Sequence, residues 1–520
     1  MTRPAITIDS TDVSATPEVR GQLRQVCLFF IAIVIFGTVV MLLYSPARQP
    51  EGGDSAGYDY IAQCILRGQL PYRDVIDIKA PGSMYLSAVA MAVGRLAGVS
   101  DVLSVRLFQS LLVGLLCGLI LLIARFYFRN TQLGLIAAVA PLIAMKFAEW
   151  MVVGTQPKLP MIIFGVLTLL FIAVNRPWLA GASAMLACLC WQPGLMFLGV
   201  AVLIFSNYLR RWKDGAALKV VSGAAIPLLV VLGYFYARGA LGDLWAWTIT
   251  FNYSVFRPET QRTPLRALHH MWTVISRVYG ADTYIWLTAA VGLVVYIGTR
   301  VYTRMKRGGD DLPFKDALAI PPLIYFAFCI LNMQGGPDLI PFIPFVAILA
   351  SWALVGSIRF CCDRLFARRS AGFKLDQVMC GMVLSALMII ALGRGIGYHV
   401  PAGFTLQDQE KQMSVLSEVL SGNDKVYVHG SVELLVLLKR PNVNPYTFLN
   451  QGIDRFESAR RGIDLTALVD AIEAERPRLV ALSRLKTVAS QELLEKWVDE
   501  HYDKFDRYTP SDVYIRKPGL

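Results

Sequence analysis

The sequence predicts a polytopic α-helical membrane protein with about eleven transmembrane helices and a C-terminal α/β domain outside the membrane. Three observations support this fold class. The 520-residue chain is 55% hydrophobic with a mean hydropathy of +0.49, and its apolar residues form many separate runs of about twenty residues. Basic residues cluster at the ends of these runs, as in cytoplasmic loops. After about Val400, short β-like runs alternate with helical patterns.

The predicted spans lie at about 26–44, 102–126, 132–149, 159–174, 178–190, 194–208, 219–236, 282–299, 317–331, 339–357 and 376–393. A shorter apolar stretch at 83–97 is predicted to lie in the membrane interface as a helix of the first outer loop, 45–101. If it crossed the membrane, every later basic loop would fall outside, against the positive-inside rule.

This assignment divides the chain into a cytoplasmic segment at 1–25, a transmembrane domain at 26–395 and an extracytoplasmic α/β domain at 396–520. The first segment continues directly into a span without an obvious small-residue cleavage site, which predicts an uncleaved anchor. The expected location is the cytoplasmic (inner) membrane.

The formal net charge is +12, but the basic residues lie at the ends of apolar segments. Orientation in the membrane and attraction to anionic lipid headgroups explain this pattern, and nucleic acid is not an expected partner. The nine cysteines lie mostly in apolar runs, none follows Cys380, and no zinc spacing occurs. The sequence therefore predicts neither a dependence on extracytoplasmic disulfides nor a metal cofactor.

The most patterned polar stretch is 51–82, EGGDSAGYDYIAQCILRGQLPYRDVIDIKAPG. Asp54 is predicted to be the N-cap of a short helix. Apolar residues from Tyr58 to Ile65 follow at helical spacing, and Gly68 stands where a C-terminal glycine is expected. Asp54 is therefore expected at the start of an amphipathic helix in the membrane interface.

This loop also resembles one in a known family. An acidic residue after the first span, a tyrosine, a leucine–glycine turn, a Pro-Tyr pair and an acidic–Lys–Pro-type end read here as GGDSAGYDYIAQCILRGQLPYRD and DIKAPGSMYL. The pattern resembles the GT-C membrane glycosyltransferases, in the branch related to bacterial protein O-mannosyltransferases and lipid A aminoarabinose transferases. The late proline-rich span, IPFIPFVAIL, and the extracytoplasmic C-terminal domain agree with that layout.

The resemblance implies an enzyme that transfers a sugar from a polyprenyl-phosphate donor to a glycan, lipid or protein acceptor at the outer face of the membrane, with inversion. Asp54 matches the catalytic base of the family, and Lys79 matches a lysine expected near the carrier phosphate. Tyr58 and Tyr72 belong to the same motif and are candidate substrate-binding residues.

Such a transfer needs a base for the acceptor proton and fixed positive charge for the departing phosphate. Asp54 suits the base, or it only caps its helix. Lys79 would meet the phosphate with Asp77 orienting it, or the two form an exposed pair of little energetic value. Arg73 is a further phosphate candidate, or a solvated surface residue.

The second outer loop reads MKFAEWMVVGTQPKLP. Family members often carry an acid here, but this chain has Gln156 before its proline, and glutamine cannot act as a base. Glu149 is therefore the candidate second acid, or it forms an ion pair with Lys146 one helical turn away. Lys158 is a candidate phosphate partner. Near the proline-rich span, Asp338 either lines the sugar pocket or caps its helix.

The long outer loop at 237–280 is rich in aromatic and basic residues: Trp245, Trp247, Arg257, Arg262, Arg266, His269 and His270. The tryptophans either anchor in the interface or stack on a sugar ring, and adjacent histidines do not converge on one metal ion. Trp191-Gln192-Pro193 is interpreted as a hairpin turn. The tail, with His429 and Glu433 outside the match, is expected to be a lid or acceptor platform.

A transporter or flippase of a lipid-linked sugar is the alternative function. The polar chemistry lies in outer loops and a folded tail, with few charged residues inside the spans, which favours the transferase. A non-catalytic relative in an envelope assembly and an oligosaccharide polymerase or ligase are further alternatives.

Overall fold

A computed structural model describes residues 17–206, 215–256, 263–307, 313–366, 375–483, 488–508 and 512–519. The first half contains the helices α1 (Pro17–Leu43), α2 (Gly53–Leu66), α3 (Gly82–Leu96), α4 (Asp101–Phe128), α5 (Thr131–Val139), α6 (Met145–Val152), α7 (Lys158–Ala173), α8 (Pro177–Cys190), α9 (Leu195–Phe205) and α10 (Ala216–Ala237). The rest of the helical part contains α11 (Leu241–Trp245), a π-helix (Ala246–Phe256), α12 (Pro264–Thr273), α13 (Thr283–Arg307), α14 (Ile320–Asn332), α15 (Ile343–Phe366) and α16 (Leu375–Gly397).

Seven helical segments among the described residues are long and apolar enough to cross a membrane: Leu23–Leu43, Asp101–Phe128, Ala216–Ala237, Gly280–Thr303, Lys315–Asn332, Gly336–Arg364 and Leu375–Gly397. Three shorter apolar helices, Lys158–Ala173, Pro177–Cys190 and Gln192–Phe205, occupy the positions of further predicted spans. The prediction of a multi-pass helical membrane protein is confirmed, whereas the count of eleven spans stays a prediction.

The predicted continuous span at 132–149 is broken in the structure. The helical stretch Thr131–Ile143 meets α6 at an angle of 68°. Pro141 lacks an N–H group and lies in a 3-10 turn that follows α5. Ala144 then adopts an extended conformation, with φ −80° and ψ 96°. The break separates α6, which forms the first part of the predicted second outer loop, from the helical stretch before it.

Helix α3 has 15 residues and was predicted to lie in the interface rather than to span. Its side chains Val89, Val93 and Leu96 are exposed by 61%, 61% and 91%. An exposed apolar edge on a helix that packs against α2 and α4 is what an interfacial helix presents to lipid.

Helices α8 and α10 approach each other backbone to backbone. A Cβ atom added to Gly181 would lie 1.9 Å from the carbonyl oxygen of Val220, and one added to Gly223 would lie 2.1 Å from that of Trp178. Small residues at such crossings allow the close van der Waals contact that holds helices together in lipid.

The C-terminal domain contains α17 (Leu406–Val419), β1 (Val426–His429), α18 (Glu433–Leu438), α19 (Ile453–Arg461), α20 (Leu465–Ala474), β2 (Leu479–Leu482), α21 (Gln491–His501), β3 (Tyr502–Lys504) and β4 (Asp512–Arg516). The sheet order is β1-β2-β4-β3. Strands β1 and β2 are parallel with Val426 opposite Leu479, and the other two pairings are antiparallel. The predicted α/β tail is confirmed, with β3 as an additional short edge strand.

The tail sits directly on α2 of the first outer loop. The backbone N–H of Asn442 donates to the Tyr60 hydroxyl at 2.7 Å, and the Gln63 side chain donates to the carbonyl of Val436 at 3.2 Å. Apolar side chains of α2 and of the tail share one buried core. The tail therefore fixes the position of the loop that holds the predicted site.

Replacing Gly223 by alanine is expected to lower the melting temperature of the purified protein, because the added methyl group forces α8 and α10 apart at a cost of about 1–3 kcal/mol. Gly233→Ala is the matched control in the same helix, where the added Cβ meets nothing within 4 Å. It should leave the melting temperature unchanged or slightly higher. Equal melting temperatures for the two variants would contradict the close packing of α8 on α10.

Candidate active site

Asp54 lies in the first turn of α2 and is not the N-cap, so the predicted capping role is wrong. The N-cap is Gly52, and the helix begins at Gly53, whose φ of +61° favours glycine. The Asp54 carboxylate is exposed and has no hydrogen bond or ion pair with any residue that the structure describes. It is therefore available for chemistry rather than used by the backbone.

Three other predicted site residues, Tyr58, Asp77 and Lys79, lie close to this carboxylate. The Lys79 ammonium lies 4.9 Å from the centre of the Tyr58 ring, a cation–π geometry. The Asp77 carboxylate accepts the backbone N–H of Lys79 at 2.7 Å, and both Asp77 and Lys79 interact electrostatically with Asp54. The cluster combines an uncommitted carboxylate with a half-buried cation.

The protonation states in this cluster follow from burial and charge. Burial raises the pKa of the Asp77 carboxyl above its ordinary value, with Lys79 opposing that shift. Burial by itself would lower the pKa of the Lys79 ammonium, but Tyr58, Asp77 and Asp54 outweigh it and raise that pKa. Lys79 is therefore a cation at neutral pH.

Side chains from elsewhere in the chain fix the backbone at 78–79 by hydrogen bonds to its carbonyl oxygens. The carbonyl oxygen of Ile78 accepts hydrogen bonds from the Gln192 and Asn252 side chains, each at 2.8 Å. The Tyr72 hydroxyl donates to the carbonyl of Lys79 at 2.6 Å. These contacts fix the loop without using the Lys79 ammonium.

Two of these positioning residues were not recognised in the sequence. Gln192 stands in the turn interpreted only as a hairpin, and Asn252 lies in the π-helix and carried no signal. Tyr72 also needs a correction, because its side chain is completely buried against Phe235 and cannot contact a substrate. Its role is to support the loop.

A second charged pair lies beside the same turn. The Lys158 ammonium is 3.1 Å from the Asp338 carboxylate and 4.8 Å from the centre of the Trp191 ring. Asp338 also accepts the backbone N–H groups of Gln334 and Gly335. The predicted capping role of Asp338 is thus present together with an ion pair to Lys158. Since Trp191 and Gln192 are adjacent, one turn contacts both the Lys158 ammonium and the backbone next to Lys79.

Glu149 and Arg73 are not part of this arrangement, so their predicted site roles gain no support. Glu149 forms an ion pair with Lys146 at 2.5 Å, one helical turn away. Arg73 is exposed and pairs with its neighbour Asp74 at 2.9 Å. In both cases the alternative foreseen for the residue, a local ion pair or a surface arginine, is the one that the structure shows.

A buried network behind the site was also missed. Arg106 in α4 is completely buried and ion-paired with Glu51 at 2.8 Å. Asp59 in α2 is equally buried and accepts the Thr155 hydroxyl at 2.5 Å. Burial raises the pKa of the Asp59 carboxyl from 3.8 to about 6. An arginine inside a predicted apolar span was the available sequence signal, because such residues pair with a specific partner.

The long outer loop and the tail supply packing rather than reactive groups. Trp245 is exposed, whereas Trp247 is buried beneath the tail and packs on Phe456. His429 is buried in β1, where its ring bonds the Ser483 carbonyl and the N–H of Leu449. Arg257 and Arg262 lie outside the described residues. In the described ranges no three His, Cys, Asp or Glu side chains are grouped for a metal ion.

The fold and the site define the class of protein: a bundle of membrane helices whose first outer loop carries a carboxylate and a lysine beneath a small α/β domain. Solved structures with this architecture are GT-C transferases. ArnT from Cupriavidus metallidurans bound to undecaprenyl phosphate matches 95% of this chain and 98% of that chain, with a TM-score of 0.62 and 14% identity. The chain has the GT-C fold, and the resemblance predicted from the first outer loop is confirmed.

Three further comparisons agree. Oligosaccharyltransferase AglB from Archaeoglobus fulgidus, in complex with an inhibitory peptide and a dolichol-phosphate, matches 94% of this chain and 74% of that chain, with a TM-score of 0.53 and 11% identity. The mycobacterial arabinofuranosyltransferase AftD matches 94% and 40%, with a TM-score of 0.51 and 13% identity. A dolichol phosphate-mannose mannosyltransferase of Haloferax volcanii is 25% identical over 308 residues, which are 56% of this chain and 65% of that relative's length. No family model matches the chain.

Asp59→Asn is expected to gain stability relative to the wild type as the pH rises from about 4 to about 6. A folded-state pKa above the ordinary value means that ionising Asp59 favours the unfolded state across this window, by up to about 3 kcal/mol. Melting temperatures of both proteins in detergent, measured from pH 4 to pH 7, test this.

Asp74→Asn is the control for that series. The hydrogen bond from Arg73 lowers the pKa of Asp74, so its contribution to stability is present at neutral pH and is lost on acidification. The Asp74 variant should therefore lose stability relative to the wild type as the pH rises. If both variants lost stability relative to the wild type as the pH rises, burial would not raise the pKa of Asp59.

Proposed function

We propose that this protein is a glycosyltransferase that moves a sugar from a polyprenyl-phosphate carrier to an acceptor hydroxyl at the outer face of the cytoplasmic membrane. The observation that carries the proposal is the exposed Asp54 carboxylate, free of hydrogen bonds to the described residues, beside the half-buried Lys79 cation. A free base next to a fixed cation is the pair that this transfer requires.

In the proposed reaction, the Asp54 carboxylate accepts the proton of the acceptor hydroxyl as its oxygen attacks the anomeric carbon of the donor sugar. The bond between that carbon and the phosphate oxygen breaks, and the carrier leaves as a polyprenyl-phosphate anion. Lys79 stabilises the charge that develops on this leaving group. A direct displacement of this kind inverts the configuration of the sugar.

The structure supports a preorganised site for the carrier. Gln192 and Asn252 hold the Ile78 carbonyl, so the Lys79 side chain projects from a loop that cannot shift freely. Lys158 lies in the same neighbourhood over Trp191 and adds a second cation, although Asp338 compensates its charge. The tail covers α2, with Phe448 against Gly57 one turn after Asp54, and is a suitable platform for an acceptor.

The names of the related proteins support the donor class but leave the acceptor open. Two of the structural relatives were solved with undecaprenyl phosphate or dolichol-phosphate, and the curated relative is named for dolichol phosphate-mannose. One relative holds a peptide. A glycan, a lipid and a protein are therefore all retained as acceptors, with membrane lipid surrounding the site.

Asp54→Asn is expected to abolish transfer of label from polyprenyl-phosphate sugars to membrane extract, because an amide cannot accept the proton; a loss of about 10²-fold or more is expected. Binding of polyprenyl phosphate by the variant should stay near the wild-type level. Asp74→Asn, a change of another acid in the same loop, should retain activity. Equal transfer by wild type and Asp54→Asn would exclude Asp54 as the base. Movement of labelled lipid between leaflets without any transfer would favour a flippase.

Lys79→Gln is expected to weaken the binding of polyprenyl phosphate by about 10- to 100-fold, the value of one charge-assisted contact. Lys146→Gln provides the comparison, since Lys146 is an outer-loop lysine that pairs with Glu149 away from the cluster. Dissociation constants for the carrier lipid in nanodiscs measure the difference. Unchanged binding by the Lys79 variant would place the phosphate elsewhere.

A further inference from the structure

The segment that joins α6 to α7 contacts α2 through Thr155 and ends next to Lys158. It runs from Val153 to Pro157, and Lys158 is the first residue of α7. Within it, Thr155 donates both its hydroxyl, at 2.5 Å, and its backbone N–H, at 3.4 Å, to one carboxylate oxygen of Asp59 in α2. Only Gln156 and Pro157 separate this anchor from Lys158, so the anchor restricts where the Lys158 ammonium can lie.

The contact between this segment and α2 has no spare room. Gly154 has a φ of +149°, a conformation that favours glycine. A Cβ atom added there would lie 2.8 Å from the second Asp59 carboxylate oxygen and 3.0 Å from the Cβ of Ser55. Because Ser55 adjoins Asp54, the same segment touches the turn that carries the proposed base.

Two other elements complete the anchor. Ser87 in α3 lies 2.6 Å from the Thr155 hydroxyl, and since Thr155 gives its proton to Asp59, Ser87 is the donor in this contact. Arg106 in α4 donates to the carbonyl of Val153 at 3.0 Å and to the Glu51 carboxylate at 2.8 Å. The connection is therefore tied to α2, α3 and α4, while Lys158 emerges at its end.

The anchor is built from buried ionisable groups and not from apolar packing alone. Glu51 and Asp59 are two fully buried carboxyls near a single guanidinium, and each has one oxygen without a hydrogen-bond partner among the described residues. Burying such groups is costly. Asp101 and Glu433 add negative charge nearby. In return, the Asp59 carboxylate is a stronger hydrogen-bond acceptor for Thr155 than a neutral group would be.

We propose that Asp59, acting through Thr155, is a positioning residue that sets Lys158 relative to Asp54 and Lys79, so that both lysines meet the phosphate of one carrier lipid. This inference rests on the proposed transferase function for the role of Lys158. The position of Lys158 itself can be measured without any activity.

The first test measures the reactivity of individual lysines toward acetic anhydride by mass spectrometry of the full-length protein in nanodiscs. Lys158 is only 8% exposed. In Thr155→Val its labelling should accelerate about fivefold, the effect of losing one hydrogen bond, while exposed Lys425 reacts as in the wild type. Thr155→Ser, which keeps the hydroxyl, should restore the slow rate.

Thr168→Val is the matched control. Thr168 is also buried, in α7, but among the described residues its hydroxyl bonds only the Phe164 carbonyl of its own helix. It should leave the labelling of Lys158 unchanged. The positioning role would be overturned if the labelling of Lys158 were unchanged in Thr155→Val, or if every lysine of that variant were labelled equally faster.

The second test separates positioning from loss of folded enzyme. Thr155→Val should raise the KM for the polyprenyl-phosphate sugar about fivefold with little change in kcat. A merely structural defect would lower kcat through the active fraction and leave KM unchanged. Faster labelling of Lys158 with an unchanged KM would overturn its role in holding the carrier. If the wild type transfers no donor, the proposed function fails, and the labelling result still decides the positioning of Lys158.

Discussion

The connection between the two predicted outer loops depends on the hydrogen bonds of the fully buried Arg106 guanidinium. Its five N–H groups bond the carbonyl oxygens of the 46–50 stretch and of Val153 and the carboxylate of Glu51. An arginine near the N-terminal end of α4 thus joins the predicted first outer loop to the predicted second outer loop. Because an unpaired buried guanidinium would be very costly, neither loop can move away alone.

Other residues hold the backbone that carries Lys79. The polar side chains of Tyr72, Gln192 and Asn252 all bond carbonyl oxygens at 78–79. None of them uses the Lys79 ammonium. Because these hydrogen bonds fix the backbone, the position of the Lys79 side chain is set before a substrate binds. This is the physical basis of preorganisation.

Hydropathy and residue periodicity are local properties, so the helical stretches and the strands of the tail were predictable from them. The same reasoning placed Asp54, Tyr58 and Lys79 in one patterned loop. It failed where packing or backbone freedom decided the outcome. Gly52 and Gly53 start the helix before Asp54, and the turn at Pro141 breaks a run whose composition is continuously apolar.

The sequence by itself determined that the chain is a multi-pass helical membrane protein with an α/β tail, and which loop holds Asp54 and Lys79, because each of these follows from nearby residues. Only the tertiary structure decided what supports them. Thr155 reaches Asp59 across 96 positions and Gln192 reaches Ile78 across 114. A hydrogen bond needs a partner within about 3 Å, and the packing of distant helices alone determines which of the many polar residues meets that requirement.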